Sequence, residues 1–163
     1  MNNNKNMHVV KRDGSRAPFD LAKWQAQIAK QCQGISDISP SMIEVAAQAH
    51  FYDGMTTTEL DLIALKAGIN LIDEEEHPDV GHVNYQHFAG KQRISMLRKD
   101  VYGQYEPRRL YDTVVKNVSL GLYTEDLLAW YTEAEWDQID RFVDHDKDEL
   151  LPYAAVEQLI DNT

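Results

Sequence analysis

The stretch His8-Val9-Val10-Lys11-Arg12-Asp13-Gly14-Ser15-Arg16-Ala17-Pro18-Phe19-Asp20 decides how this chain folds. Val9 and Val10 lead into a basic pair and then Asp-Gly, the dipeptide best suited to a tight two-residue hairpin because both positions tolerate positive φ. The return strand passes through Pro18, which has no amide to give to a ladder and belongs on a sheet edge. Asp20 then stands at a helix N-cap, and Leu21, Trp24 and Ile28 follow on one face. A hairpin with Lys11 and Arg12 beside its turn, feeding a helix that carries Lys23, is a way to gather cations around an anion.

Outward from this stretch the chain reads as helical. The first helix is predicted over 20–33, ended by Gly34, and Ser39-Pro40 opens a second with Met42, Val45, Ala46 and Ala49 spaced for one face. Asp53-Gly54 breaks it. Thr56 with Glu59 makes a capping box for a third helix. Its apolar residues (Leu60, Leu62, Ile63, Leu65, Ile69, Leu71, Ile72) lie on more than one side, which marks it as the most buried. Glu74-Glu75-Glu76-His77-Pro78 reads as a loop before a fourth helix over 79–102. The hairpin's inner face needs cover, so the strands are expected across one end of the four-helix bundle. Gly103 to Pro107 forms a boundary. Beyond it four helices are predicted over 108–121, 124–131, 133–144 and 152–161, with Leu110, Val114, Val115 and Val118 inward in the first. Residues 1–6 read as a disordered polar tail.

Composition narrows the function. Hydrophobic residues make up 43% of the 163 positions, enough for a real core, yet no apolar run approaches the ~18 residues of a membrane span. The single Cys32 excludes an internal disulfide and suits a reducing cytoplasm. Net charge is −11, which argues against nucleic acid as a partner, since that binding rests on phosphate neutralisation. The charge is uneven: residues 1–105 hold 11 Lys+Arg and 13 Asp+Glu, whereas 106–163 hold 5 and 14. A polyanionic ligand therefore belongs in the first part, and the acidic second part suits solubility or a protein contact. His77, His82 and His87 lie five apart, off the spacing of paired helical zinc ligands. Asp144 to Asp148 suggests a calcium loop, but Glu149 and Ala155 replace its required Gly and Glu.

Several ordered landmarks carry a resemblance. The opening hairpin, Phe51-Tyr52-Asp53-Gly54-Met55-Thr56-Thr57, and Leu97-Arg98-Lys99 with Val101-Tyr102-Gly103-Gln104-Tyr105-Glu106-Pro107 resemble the ATP-cone, the regulatory domain at the N-terminus of many ribonucleotide reductase large subunits. Leu110-Tyr111-Asp112, Leu122-Tyr123 and Phe142 to Asp148 resemble the helical segment that follows it in class I enzymes. The resemblance implies a mainly α fold: residues 7–103 as a four-helix cone capped by a small β-sheet, and 108–163 as an incomplete helical segment of the catalytic subunit. It implies ATP or dATP as allosteric effector, with Mg2+, and control of ribonucleoside diphosphate reduction. The implied partners are the remainder of the large subunit and the radical-generating small subunit, in a homo-oligomeric full enzyme. With one Cys the chain lacks the thiols for the reaction itself. It reads as an N-terminal fragment or a split-gene product.

By the same resemblance Lys11, Arg12 and Lys99 match phosphate-binding positions, Lys23 a position near sugar and phosphates, and Thr57 a helix start whose amides attract anions. Lys23 reads equally as a surface lysine, and Thr57 as part of a plain cap. Val9, Phe19 and Leu60 suit an apolar slot for adenine and suit plain core as well. Three positions depart from the family. Ala17 replaces a polar residue, Asp20 stands where an Asn reads the base, and Asp61 replaces a His near the nucleotide. A carboxylate at Asp61 either accepts a bond from the ribose 2′-hydroxyl, favouring ATP, or repels phosphate. Two alternatives stay open: a degenerate cone that binds no nucleotide and serves as a structural or assembly module, and a cone-bearing transcriptional repressor, which would need paired cysteines and a basic surface.

Overall fold

The computed structural model describes residues 7–73 and 77–162, so the polar tail over 1–6 and the acidic loop at Glu74, Glu75 and Glu76 lie outside the described residues. Two strands, β1 (His8–Val10) and β2 (Arg16–Pro18), pair antiparallel in the register His8–Pro18, Val9–Ala17, Val10–Arg16. Eight α-helices follow: α1 (Leu21–Cys32), α2 (Pro40–Gln48), α3 (Thr57–Asn70), α4 (Tyr85–Tyr102), α5 (Leu110–Ser119), α6 (Asp126–Trp130), α7 (Glu133–Asp140) and α8 (Tyr153–Asp161), with a 3-10 helix over His145–Leu150. The mainly helical architecture with a small sheet is the one the sequence implied. No helix among the described residues is long and apolar enough to cross a membrane.

The chain divides into two compact units. One comprises residues up to Met96 together with 149 onward, the other Leu97–Asp148. The last helix lies in the same unit as the hairpin and α1 to α3. In the first unit one core takes Val9 from β1, Trp24, Ile28 and Cys32 from α1, Ile43 and Ala47 from α2, Leu60, Ala64 and Ala67 from α3, and Tyr85 and Phe88 from α4. A second cluster joins Leu65, Ala89 and Met96, with Tyr153 packed against it. In the second unit Arg109 on the start of α5 reaches Glu133 (3.0 Å) and Asp137 (2.6 Å) on α7, and Trp136 is buried there edge-on to Tyr131.

Local signals explain most of the elements. Asp20 caps α1 by accepting from the Lys23 amide (3.0 Å), and Thr56 with Glu59 closes a reciprocal capping box on α3. Four expectations need correction. The hairpin turn has three residues, not two: the Gly14 amide donates to the Lys11 carbonyl, the Lys11 amide donates to the Ser15 carbonyl, and Gly14 alone takes positive φ. Asp13 is free of that requirement because its side chain accepts from the Ser15 amide (2.9 Å) and hydroxyl (2.6 Å), giving a type I turn closed by a glycine bulge. In α2 Ile43 and Ala47 are buried and Met42 and Ala46 pack partly buried on the same core, while Val45 and Ala49 are exposed; the stripe is rotated because α1 and α3 both pack on this helix. In α5 Val114 is buried but Val115 is exposed. Helix α4 begins at Tyr85 instead of 79, because residues 77–84 are held as turns. There the His82 amide donates to Leu71 O, and Asn84 reaches across to Ser36 O (3.1 Å).

Candidate functional site

Strand β1 is flanked on both sides. Beyond β2, its other edge meets the segment before α3: the Val10 amide donates to Met55 O and the Gly54 amide to His8 O, both 2.9 Å, and Val10 pairs with Thr56 in parallel sense. Both chains run the same way from that bridge. Lys11 therefore emerges beside Thr57, at the N-terminus of α3, and Arg12 follows at the turn. The capping box uses the amides of Thr56 and Glu59. The first-turn amides of Thr57 and Thr58 have no intrahelical acceptor, and the helix dipole adds positive potential at this end. Cations and helix amides thus meet at one place, which is the chemistry an anionic phosphate needs. Glu59 works against it, but its carboxylate is engaged by the Thr56 amide, the Tyr52 hydroxyl and the Thr56 hydroxyl, which hold its pKa down.

The remaining sequence-predicted residues are distributed as follows. Lys23 lies exposed on the first turn of α1, and Asp20 is occupied as that helix's cap. Val9 and Leu60 are buried in the core, whereas Phe19 is half-buried and packs edge-on to Phe51 at 5.4 Å. Of the three apolar candidates, Phe19 retains the most surface. Ala17 is half-buried opposite Val9. Asp61 is only 7% exposed; its Oδ1 lies 3.4 Å from Gln27 Nε2 of α1. Lys99 stands half-buried in the last turn of α4, within the second unit.

Comparison with known proteins identifies the family. Residues 7–87 match the ATP cone domain. The chain carries an ATP-cone. It is 42% identical over 156 residues to Escherichia coli ribonucleoside-diphosphate reductase 1 subunit alpha, covering 96% of this chain and 20% of that protein. The alpha subunits of Haemophilus influenzae (38% over 156 residues, 96% of this chain and 20% of that protein) and phage T4 (33% over 153 residues, 94% and 19%) are similar in the same way. The homology is with the N-terminal region of class I alpha subunits, and the chain spans about a fifth of the length of these relatives.

Sequence reasoning missed the residues that brace the cone. Asp53, read as a helix breaker, accepts the His8 amide at 2.7 Å and lies 3.6 Å from Arg16, so it buckles the turn before α3 to both strands of the hairpin. The His8 amide is the main reason its carboxyl sits below the ordinary value. Gln92 of α4 is fully buried and donates to the Asp61 carbonyl at 2.9 Å, tying α4 to α3. In the second unit Arg98, with its side chain 8% exposed, holds the His145 carbonyl (2.6 Å) and Asp148 (3.1 Å), and lies over the Tyr105 ring. Each bond links residues at least 31 apart in sequence, and no local periodicity marks such partners.

Proposed function

We propose that this chain is the nucleotide-sensing region of a ribonucleoside-diphosphate reductase large subunit, binding ATP or dATP with Mg2+ and biasing the assembly of the full enzyme. The observation that supports it most is the parallel bridge between Val10 and Thr56, which brings the chain leading into the Lys11-Arg12 turn alongside the start of α3. In this reading Lys11 and Arg12 hold phosphates, a role the family resemblance implies for Lys99 as well, Thr57 contributes its helix-start amide, Lys23 lies by the sugar and phosphates, and Phe19, at the edge of the core with Val9 and Leu60 behind it, meets the base. The magnesium ion would be held chiefly by the phosphates and water, supplying charge neutralisation. Occupancy acts on assembly only through unequal affinity for the assembled and separate states. The partners are the rest of the large subunit and the radical-generating small subunit.

Asp61 bears on the choice of nucleotide. The residue is 7% exposed, with Oδ1 3.4 Å from Gln27 Nε2 of α1. ATP and dATP differ by one hydroxyl, and tenfold discrimination takes about 1.4 kcal/mol, roughly one hydrogen bond. Calorimetric titration with ATP and dATP in Mg2+, with Lys11→Ala as control, tests the reading. Micromolar binding is expected in the wild type. Lys11→Ala removes one charge-assisted bond of about 1.5–3 kcal/mol, a 10- to 100-fold loss. No heat with either nucleotide, and no rise in melting temperature, leaves the cone as a structural and assembly module.

A further inference from the structure

The last helix of the chain lies outside the matched cone, yet it shares the cone's compact unit. Its contact with α4 is built for close approach. A β-carbon added at Gly90 would overlap the Leu151 carbonyl oxygen and stand 3.1 Å from the Pro152 carbonyl carbon and the Tyr153 nitrogen. Only glycine leaves that notch, so the backbone of 151–153 rests directly on the backbone of α4. Tyr153 then packs on Leu65, Ala89 and Met96, and Val156 is 1% exposed. One turn along α4, Arg93 Nε meets Glu157 Oε1 at 2.5 Å, and both side chains are mostly shielded from solvent. Glycine notch, apolar seat and ion pair together fix α8 along α4.

We propose that α8 is a strap that positions α4, and that nucleotide occupancy and strap docking favour one another. The inference rests on the nucleotide reading above, because within the first unit α4 places Phe88 in the core with Val9 and Leu60 and ties to α3 through Gln92 and the Asp61 carbonyl. Gly90, Arg93 and Glu157 touch no nucleotide in this reading; they are positioning residues. Anything that holds α4 in place lowers the cost of ordering α3 and the hairpin at the site, and bound nucleotide in turn stabilises the seat for α8. By linkage the two effects are equal in size.

Hydrogen exchange of the whole chain with and without ATP and Mg2+, read by mass spectrometry beside calorimetry, tests this. In the wild type ATP slows exchange over 153–161. Glu157→Arg, which leaves Arg93 facing a like charge, abolishes that protection and weakens ATP about 3- to 10-fold, and Arg93→Glu with Glu157→Arg restores both. Circular dichroism checks that each variant keeps its helices. ATP binding that protects the hairpin while 153–161 stays unchanged, or an affinity indifferent to Glu157→Arg, overturns the strap and leaves the nucleotide reading standing. Absence of ATP binding in the wild type overturns the nucleotide reading and the coupling with it.

Discussion

Gly68 and Phe88 give the sharpest test of how the cone's core is packed. Gly68 is buried in α3, and a β-carbon there would stand 2.5 Å from Cδ1 and 2.7 Å from Cε1 of Phe88, whose ring is fully buried. Gly68→Ala gains about 1 kcal/mol of helix propensity. Against that, pushing a packed ring costs about 1–3 kcal/mol, so the net effect is a loss of up to about 2 kcal/mol. Phe88→Val removes both clashing atoms and costs less than the about 3–5 kcal/mol typical of Phe→Ala. In that background the clash is gone, and Gly68→Ala should raise stability by about 1 kcal/mol. The two backgrounds thus differ by about 1–3 kcal/mol, a coupling energy that a double-mutant cycle measures directly. Urea unfolding, followed by tryptophan fluorescence and far-UV circular dichroism, supplies the four stabilities. Equal stabilisation by Gly68→Ala in both backgrounds would refute the packing argument.

Two further outcomes follow from the ionisable groups. The His8 amide holds the Asp53 carboxyl below its ordinary value of 3.8, so the stability from this bond is present above pH 3.8 and is lost as pH falls through the lower folded-state value. Asp53→Asn should therefore lose stability less steeply than wild type below pH 3.8 in acid unfolding curves; superimposable slopes argue against the buckle. Burial pushes the Cys32 thiol up to about 12, so a thiol-specific reagent should leave the native protein unlabelled near neutral pH and react once urea unfolds it. Labelling without unfolding would mean that the end of α1 opens locally.

The local grammar of the chain was legible in its sequence. The caps at Asp20 and Thr56 sit where short-range rules put them, and Pro18 occupies an edge strand. Helix faces were less so. In α2 an apolar spacing of Met42, Val45, Ala46 and Ala49 fits one stripe, but contact with two helices centres the inward face on Ile43 and Ala47, keeping Met42 and Ala46 at its edge and leaving Val45 and Ala49 exposed. The start of α4 was misplaced because the helix-breaking signals of Gly81 and Asn84 were passed over, and the turns of residues 77–84 are fixed from outside, by Leu71 and Ser36. At the candidate site, Lys11, Arg12 and Thr57 could be named because they lie in motifs. The parallel bridge that relates them joins residues 46 apart and has no signature of its own. Asp61 shows the same limit: its place on α3 was readable, and its burial beside Gln27 was not.

The sheet bears on how copies of this chain can meet. With Met55 and Thr56 covering one side of β1, the outward edge of β2 is the sheet's exposed border. That border is three residues long, starts at charged Arg16 and ends at Pro18, which has no amide to offer. Such an edge is a poor template for a strand from another molecule. Assembly through the cone is therefore better served by side chains meeting across its surface, where contacts can be broken and remade without unzipping a ladder.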